Sequence, residues 1–449
     1  MTKKLFFICA ALALVASFAL TACAQPTAPA PAAPAPAPAP APAPKPAPAP
    51  GAPEPLRFGM PVSLGLVVAT DAVRAAEMAA EEINAAGGVN VGGVKRQIQI
   101  KEIDSRAMLP GVPAADALLA YEKLILQTKV DAFCASAERS EVCLAAMDLI
   151  AKYKLIHMIP GAKSPTITQK VLDDYPKYKY NFRTTTNSVF AAKNLEAQFQ
   201  MIKDQFGFAS VFFISEDALW ARGTVDLLKK SLGGAGWKIS GEEFAPLGTT
   251  DYSMALVKCR NSGAQVLCIM FSNPEAGILI DQANTMQIPA LIIGNASPIV
   301  GPGSWDLFKG KIEYACLTVA EIGNVPLKTW PKSVQFYDAY KKRWQREIEI
   351  DSVPAPSYDS VYILAKAIEK AGSLDIDKLV TAMEATDYEG AVGRIRFDKS
   401  HQAIYGNSPK ETALSALIQW QKPGTRTVVW PAEAADGKIQ LPPWVKSAK

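Results

Sequence analysis

Between Thr70 and Ser105 the chain reads TDAVRAAEMAAEEINAAGGVNVGGVKRQIQIKEIDS. Val73, Ala76, Ala80 and Ile83 recur at the three-and-four spacing of one apolar helix face, with Arg74, Glu77, Glu81 and Glu82 largely opposite. Thr70 or Asp71 is expected to cap the helix start, because a short side-chain oxygen accepts from unpaired backbone amides. Gly87-Gly88 is expected to end it, since glycine enters the left-handed region at little cost. A strand with Ile98 and Ile100 on one face follows and ends near Asp104. With the apolar FGMPVSLGL in front, the pattern predicts strand, helix, strand.

The same alternation continues. Apolar runs at 130–136, 155–160, 209–215, 264–271 and 290–294 predict buried strands, with a further strand at 237–244. Helical patterns lie between them at 140–154, before Gly207, at 222–232, 252–262 and 274–286, while 178–188 reads as extended. Strands alternating with helices predict parallel sheets covered on both faces. At KIEYACLTVAEIG (311–323) the rhythm changes to one long apolar strand, as in a chain crossing between lobes. Helices at 332–347, 357–371 and 376–386, the segment GRIRFD and the strands ALIQWQ and TVVW complete the chain. The fold class is α/β, in two lobes, which suits a length of 449 residues.

Composition adds little to this picture except at the N-terminus. Hydrophobic content of 49% and charged content of 20% are ordinary for a globular protein. A net charge of +4 spread along the chain gives no case for nucleic acid. His157 and His401 stand in unrelated settings, so no histidine-based metal site or catalytic triad is expected. Among the cysteines, Cys134, Cys268 and Cys316 sit in apolar runs as small core residues. One bridge, Cys134–Cys143 or Cys259–Cys268, stays open, and no C-x-x-C pair exists. No G-x-G-x-x-G or G-x-x-x-x-G-K-[ST] follows a strand, and G-x-S-x-G is absent. No enzyme, cofactor or metal is expected.

Lys3 and Lys4 precede an apolar run from Leu5 to Leu20, followed by Leu20-Thr21-Ala22-Cys23. These four residues resemble a bacterial lipobox, which implies cleavage before Cys23 and lipidation of its thiol. A plain secretory signal or an uncleaved anchor is the alternative. From Pro26 to Pro55 the sequence is nearly all Pro and Ala, with no large apolar residue. Such a segment favours polyproline II and would hold the folded part up to about 90 Å from a membrane.

From AAEMAAEEINAAGGVNVGG and IDS onward, the chain resembles the branched-chain amino acid (Leu/Ile/Val) type of periplasmic substrate-binding protein. DAFCASAERSEVCLAAMDLIAKYKLIHMIPGAKSPTIT, NFRTTTNS, SVFFISEDALWARGTVDLLKKSLGG, SYDSVYILAKAIEKAG and YEGAVGRIRFD continue the resemblance in order over about 57–430. The resemblance implies the type I periplasmic-binding fold: two Rossmann-like lobes joined by three crossings, placed near 182–187, 317–322 and 398–412. It divides the chain into a lipoprotein signal peptide (1–22), a lipidated cysteine with linker (23–55), an N-terminal lobe (56–183 with 320–400) and a C-terminal lobe (184–319 with 401–449). It implies a monomer on the periplasmic side of the cell envelope, held to the membrane by Cys23. Such a protein captures a small-molecule ligand and delivers it to ABC permease subunits. A ligand-sensing protein that docks on a membrane receptor is the alternative.

The turn Ser136-Ala137-Glu138-Arg139-Ser140 follows a strand and precedes a helix, so its amides and hydroxyls suit a carboxylate or carbonyl oxygen. Ser136, Ala137, Arg139 and Ser140 are candidates; Arg139 would pair a ligand carboxylate, or else Glu138. The family places its second ligand turn at Ala162, Lys163 and Ser164, and an aromatic residue that closes over the ligand at Trp220. Phe271, Ser272 and Asn295 end strands that face the cleft in the family pattern. Amino-acid binders use an acidic residue near Asn295 for the ligand ammonium; here Glu321 or Asp217 would have to substitute. That departure leaves amino acids, amides and organic or aromatic acids as ligand classes, because a buried ammonium without an anion is costly.

Overall fold

Residues 53–449 are described by the computed structural model. The basic and apolar N-terminal run, Cys23 and the Pro/Ala-rich segment as far as Ala52 lie outside the described residues.

The first lobe is built on a five-stranded, wholly parallel sheet. Its strands are β1 (Leu56–Val62), β2 (Ile98–Asp104), β3 (Ala132–Phe133), β4 (His157–Ile159) and β5 (Asn181–Arg183), ordered β2-β1-β3-β4-β5. Helix α1 (Val67–Ala85) buries Ala69, Ala72, Ala76 and Ala79. Small side chains there allow close approach of the late helix α6 (Pro354–Ala371), which packs along it. Helix α5 (Pro331–Trp344) adds Phe336 and Tyr340 to the same core, so a late segment of sequence completes an early lobe.

The start of α1 differs from expectation. The helix begins at Val67, without a side-chain cap. Thr70 lies inside it and turns its hydroxyl back onto the Leu66 and Val67 carbonyls. Asp71 is fully buried and accepts from the Tyr340 hydroxyl (2.8 Å), the Glu349 amide (3.1 Å) and Arg74 (3.2 Å). Glu82, assigned to the polar face, accepts from the hydroxyls of Tyr358 (2.5 Å) and Tyr362 (2.6 Å). Tertiary partners, not local capping, decide these residues. The helix stop is as expected, with Gly87 and Gly88 at φ +103° and +79°. A Cβ on Gly88 would lie 2.5 Å from the Arg96 carbonyl oxygen.

The second lobe has a seven-stranded sheet. β6 (Ser210–Glu216), β7 (Lys238–Ala245), β8 (Val266–Phe271), β9 (Leu291–Ala296) and β10 (Cys316–Val319) run parallel; β11 (Ala416–Gln421) and β12 (Thr425–Trp430) are antiparallel. The order is β12-β11-β10-β9-β8-β6-β7. Alternation along β6 sends Val211 and Phe213 to one core and Phe212 and Ile214 to the other, so helices cover both faces.

The chain passes between the lobes after β5, after β10 and before β11. The long strand expected over 311–323 is only Cys316–Val319. Beyond it, the Ala320 amide donates to the Asp351 side chain (3.2 Å) and the Glu321 amide to the Asp351 carbonyl (3.3 Å), which draws the backbone off the sheet. Ala403, Tyr405 and Ala413 pack in the first lobe's core. Helices at Ala114–Lys123 and Pro165–Asp173 were not anticipated. The five described cysteines are free thiols, all buried.

Candidate functional site

Carboxyl ends of parallel strands from both lobes converge on one cavity of about 410 Å³, the usual place for a ligand in open α/β sheets. From the first lobe come Glu138 and Arg139, between β3 and the helix α2 (Ser140–Tyr153), and Lys163 after β4. From the second come Glu216 at the end of β6, Trp220 in the helix α4 (Leu219–Gly234), Ser272 and Asn273 after β8, and Asn295 and Ser297 around the end of β9. Ile350, Ser352 and Val353, from the segment before α6, also line it. Across the cavity mouth the Leu219 amide donates to the Glu141 carboxylate at 3.3 Å, joining α4 to α2.

Of the residues expected from sequence, Arg139, Lys163, Trp220, Ser272 and Asn295 line this cavity. Ser136, Ala137, Ser140, Ala162, Ser164, Phe271 and Glu321 are buried and lie outside its lining. Several of them hold the turns instead. The Ser140 hydroxyl accepts from the Ser164 amide (3.1 Å), and Ser164 caps the helix that begins at Pro165. The Ala137 amide donates to the Tyr121 hydroxyl (2.9 Å). The buried Arg183 guanidinium donates to the carbonyls of Ala162 (3.4 Å) and Ser164 (2.6 Å), and to Gln402 (2.5 Å). Phe271 packs edge-on against Tyr252.

The charged residues are distributed unevenly. Arg139 does not pair with Glu138; it donates to the carbonyls of Ala107 (3.2 Å) and Val112 (2.9 Å) and sits 3.6 Å from Glu141. Glu138 accepts long contacts, both 3.4 Å, from the Ser63 amide and hydroxyl, with its own backbone amide also acting on the carboxyl, and burial pushes that carboxyl up to about 7. Asp217 lines the cavity but pairs with Arg222 at 2.6 Å.

On the opposite wall, Glu216 accepts from four donors: the Trp220 indole (2.6 Å), the Ser272 hydroxyl (2.6 Å), the Ser272 amide (2.8 Å) and the Asn273 amide group (3.3 Å). Burial raises its carboxyl, and these bonds oppose that shift. Glu321 is likewise engaged, by Thr185 (2.6 Å), the Thr186 amide (3.4 Å), Asn324 (3.4 Å) and the Val353 amide (3.3 Å). Burial pushes it up to about 7 against the pull of the Lys163 charge. Val353 sits at φ +82°, which for a β-branched residue is a strained backbone beside a candidate site. Asn295 donates to Asp351 at 3.1 Å, and the other Asp351 carboxylate oxygen is buried without a partner among the described residues.

Sequence reasoning did not place Glu216, Ser297, Ser352 or Val353 in the site, and it considered Glu138 only as a partner for Arg139; Asn273 ends a strand that faces the cleft in the family pattern, and it does line the cavity. For Glu216 a signal existed: it ends the apolar run VFFIS four residues before Trp220. For Ser352 and Val353 none did, because their segment is remote in sequence from every other wall.

Residues 63–407 match the sequence profile of the family described as periplasmic binding protein. The leucine-, isoleucine-, valine-, threonine- and alanine-binding protein of Pseudomonas aeruginosa is 26% identical over 358 residues, covering 78% of this chain and 85% of its own length. Among solved structures, the branched-chain amino acid transporter substrate-binding protein of Streptococcus pneumoniae, in complex with isoleucine, is similar with a TM-score of 0.68. It is 21% identical and covers 84% of this chain and 100% of its own. A solute-binding protein of an R. palustris ABC transporter, in complex with benzoate, also has a TM-score of 0.68, at 14% identity over 86% of this chain and 100% of its own. At these identities the structural likenesses speak to the fold: two Rossmann-like lobes with parallel-sheet cores.

Proposed function

This chain belongs to the periplasmic binding protein family, and from that premise we propose that it captures a small solute between its lobes and delivers it to an ABC importer. The family is one of solute-binding proteins rather than enzymes, and its place is outside the cytoplasm. The observation that carries the proposal is the cavity of about 410 Å³ lined by strand ends of both lobes. That volume suits a small molecule, and closure of two lobes on a ligand buries it from both sides. The solute belongs among amino acids, related amides and organic or aromatic acids. The amino acids named for the Pseudomonas relative and the benzoate of the R. palustris protein support that range. Arg139, Lys163, Trp220, Ser272 and Asn295 are its proposed contacts, with Glu138 and Glu216 added from the geometry.

The same proposal includes a monomer tethered by lipidated Cys23 on the periplasmic side, with the Pro/Ala-rich segment as a stalk and permease subunits as partners. No described helix is long and apolar enough to cross a membrane. The lobe boundaries near 183 and 319 belong to it as well, with the third, expected near 400, proposed nearer 414; the packing of Ala403, Tyr405 and Ala413 in the first lobe's core supports that reading.

Native mass spectrometry tests the binding. The protein is measured as purified and after partial unfolding and refolding to strip ligand, then with pooled amino acids, amides and acids. An adduct of defined mass that is lost on stripping and regained from one pool is the expected result; no adduct under any condition counts against the proposal. Trp220→Ala is expected to weaken binding severalfold or more while the protein stays folded, because the ring supplies apolar area to the cavity wall. Unchanged affinity would remove Trp220 from the site.

A further inference from the structure

We propose that the solute of this cavity is an organic anion and that Lys163 neutralises it; this rests on the binding function proposed above and specifies its ligand. Lys163 lines the cavity and is only 8% exposed. Among the described residues, no hydrogen bond and no ion pair engages its ammonium. The Trp220 ring centroid lies 5.8 Å from Nζ, near the outer limit of a cation–π contact, and the charge also acts at longer range on the buried Glu321 carboxyl. A buried ammonium without a hydrogen-bonded anion is costly. The protein holds one at the end of a strand, facing a space where a solute fits.

The acidic groups around the cavity do not offer the reverse pairing. Glu216 accepts from four protein donors. Asp217 is paired with Arg222, and Glu141 with Arg139 and the Leu219 amide. The oxygens of Glu321 are engaged by Thr185, Thr186, Asn324 and Val353. Glu138 is held by two long Ser63 contacts and by its own backbone amide, and its raised carboxyl retains a proton readily, which suits it to donate to an anion. Asn295 points its amide group at Asp351. An incoming carboxylate therefore meets a cation with no hydrogen-bonded partner among the described residues, whereas the acidic groups that line the cavity are engaged, apart from the weakly held Glu138; Asp351, whose Oδ1 has no partner among the described residues, is fully buried and outside the lining. The remaining wall is organic in character: Val68, Met108, Val112, Trp220 and Ile350 supply apolar surface for a carbon skeleton.

Calorimetric titration of the full chain, purified in mild detergent and stripped of ligand, separates charge from shape. The probes share skeletons and differ in charge: isocaproate, isocaproamide and leucine on one, benzoate and benzamide on the other. The acid is expected to bind at least about tenfold more tightly than its amide and than leucine. Lys163→Met is expected to remove that advantage, and Lys163→Arg to keep part of it; thermal unfolding confirms that both variants are folded. Tighter binding of leucine or of an amide, or acid affinity unchanged in Lys163→Met, overturns the anion proposal and leaves the binding function intact. If neither skeleton binds, the mass of the copurified adduct decides: an anion supports the proposal and a zwitterion, cation or neutral solute overturns it. With no binding and no adduct, the anion proposal and the binding function both fall.

Discussion

On the second-lobe wall of the cavity, one buried carboxylate at the end of β6 gathers four donors from the end of β8 and a helix, and the Trp220 ring is held by one of these bonds. On the first-lobe wall, Lys163 has no bonded partner among the described residues, and Glu138 has two contacts of 3.4 Å. The burial of Glu216 and Lys163 is similar, at 2% and 8% exposure, so depth does not explain the difference. A wall whose polar atoms are all satisfied can keep its shape without ligand. A wall with an unmet charge gains from ligand, and only what differs between free and bound states contributes to selectivity. The second lobe thus supplies form, and the first supplies the charge that discriminates.

That contrast can be broken most severely at Glu216. Replacing it by Ala leaves the Trp220 indole, both Ser272 donors and Asn273 without their acceptor. The expected loss is about 3 kcal/mol or more in stability by urea denaturation, together with weakened binding. Glu216→Gln keeps one acceptor oxygen and should lose less. A stable Glu216→Ala protein with native affinity would mean that the network does not hold the wall.

At Lys163 the opposite sign is expected. Lys163→Met in the ligand-free protein removes a buried ammonium that has no hydrogen-bonded partner among the described residues, at the cost of its longer-range attraction to Glu321, and keeps an apolar stem, so stability should be unchanged or higher by about 1 kcal/mol while anion binding is lost. A substantial fall in stability would show that the ammonium has a structural partner.

The smallest effect concerns pH. The Glu138 carboxyl titrates near 7 in the folded chain against an ordinary 4.5, because burial disfavours its charged form. The folded state therefore holds more protons than the unfolded state between those values, and the Glu138 contribution to stability is lost as pH rises from about 4.5 to about 7. Glu138→Gln lacks that term. Its melting temperature relative to the native protein should climb across this window and level off above it; a flat difference would place Glu138 in contact with water.

Much of the fold was legible because burial of strands and helix faces leaves a periodic trace. VFFIS, VLCIMF and the Ala-rich face of α1 announce their elements by hydrophobic pattern. Boundaries were less legible where a tertiary partner outbids a local one: Asp71 looked like a cap and is a buried acceptor for Tyr340 and Glu349. Part of the site followed from position at strand ends together with the family pattern, which named Arg139, Lys163, Trp220, Ser272 and Asn295, all in the cavity lining. Their neighbours Ser136, Ser140, Ala162 and Ser164 were equally plausible by position. They turn inward to bind one another and Arg183, because side-chain direction within a turn has no period that a sequence displays.

By itself, then, the sequence determined an α/β chain of two lobes and the strand-end turns in which a ligand site would form, since hydrophobic periodicity encodes which faces are buried. Only the tertiary structure decided which carboxylates are satisfied and which cation is not. That balance depends on segments as distant as Asp351 and Asn295, or Val353 and Glu321, meeting across a lobe junction. A hydrogen-bond partner is a matter of distance in space, and distance in space is settled only when the chain has folded.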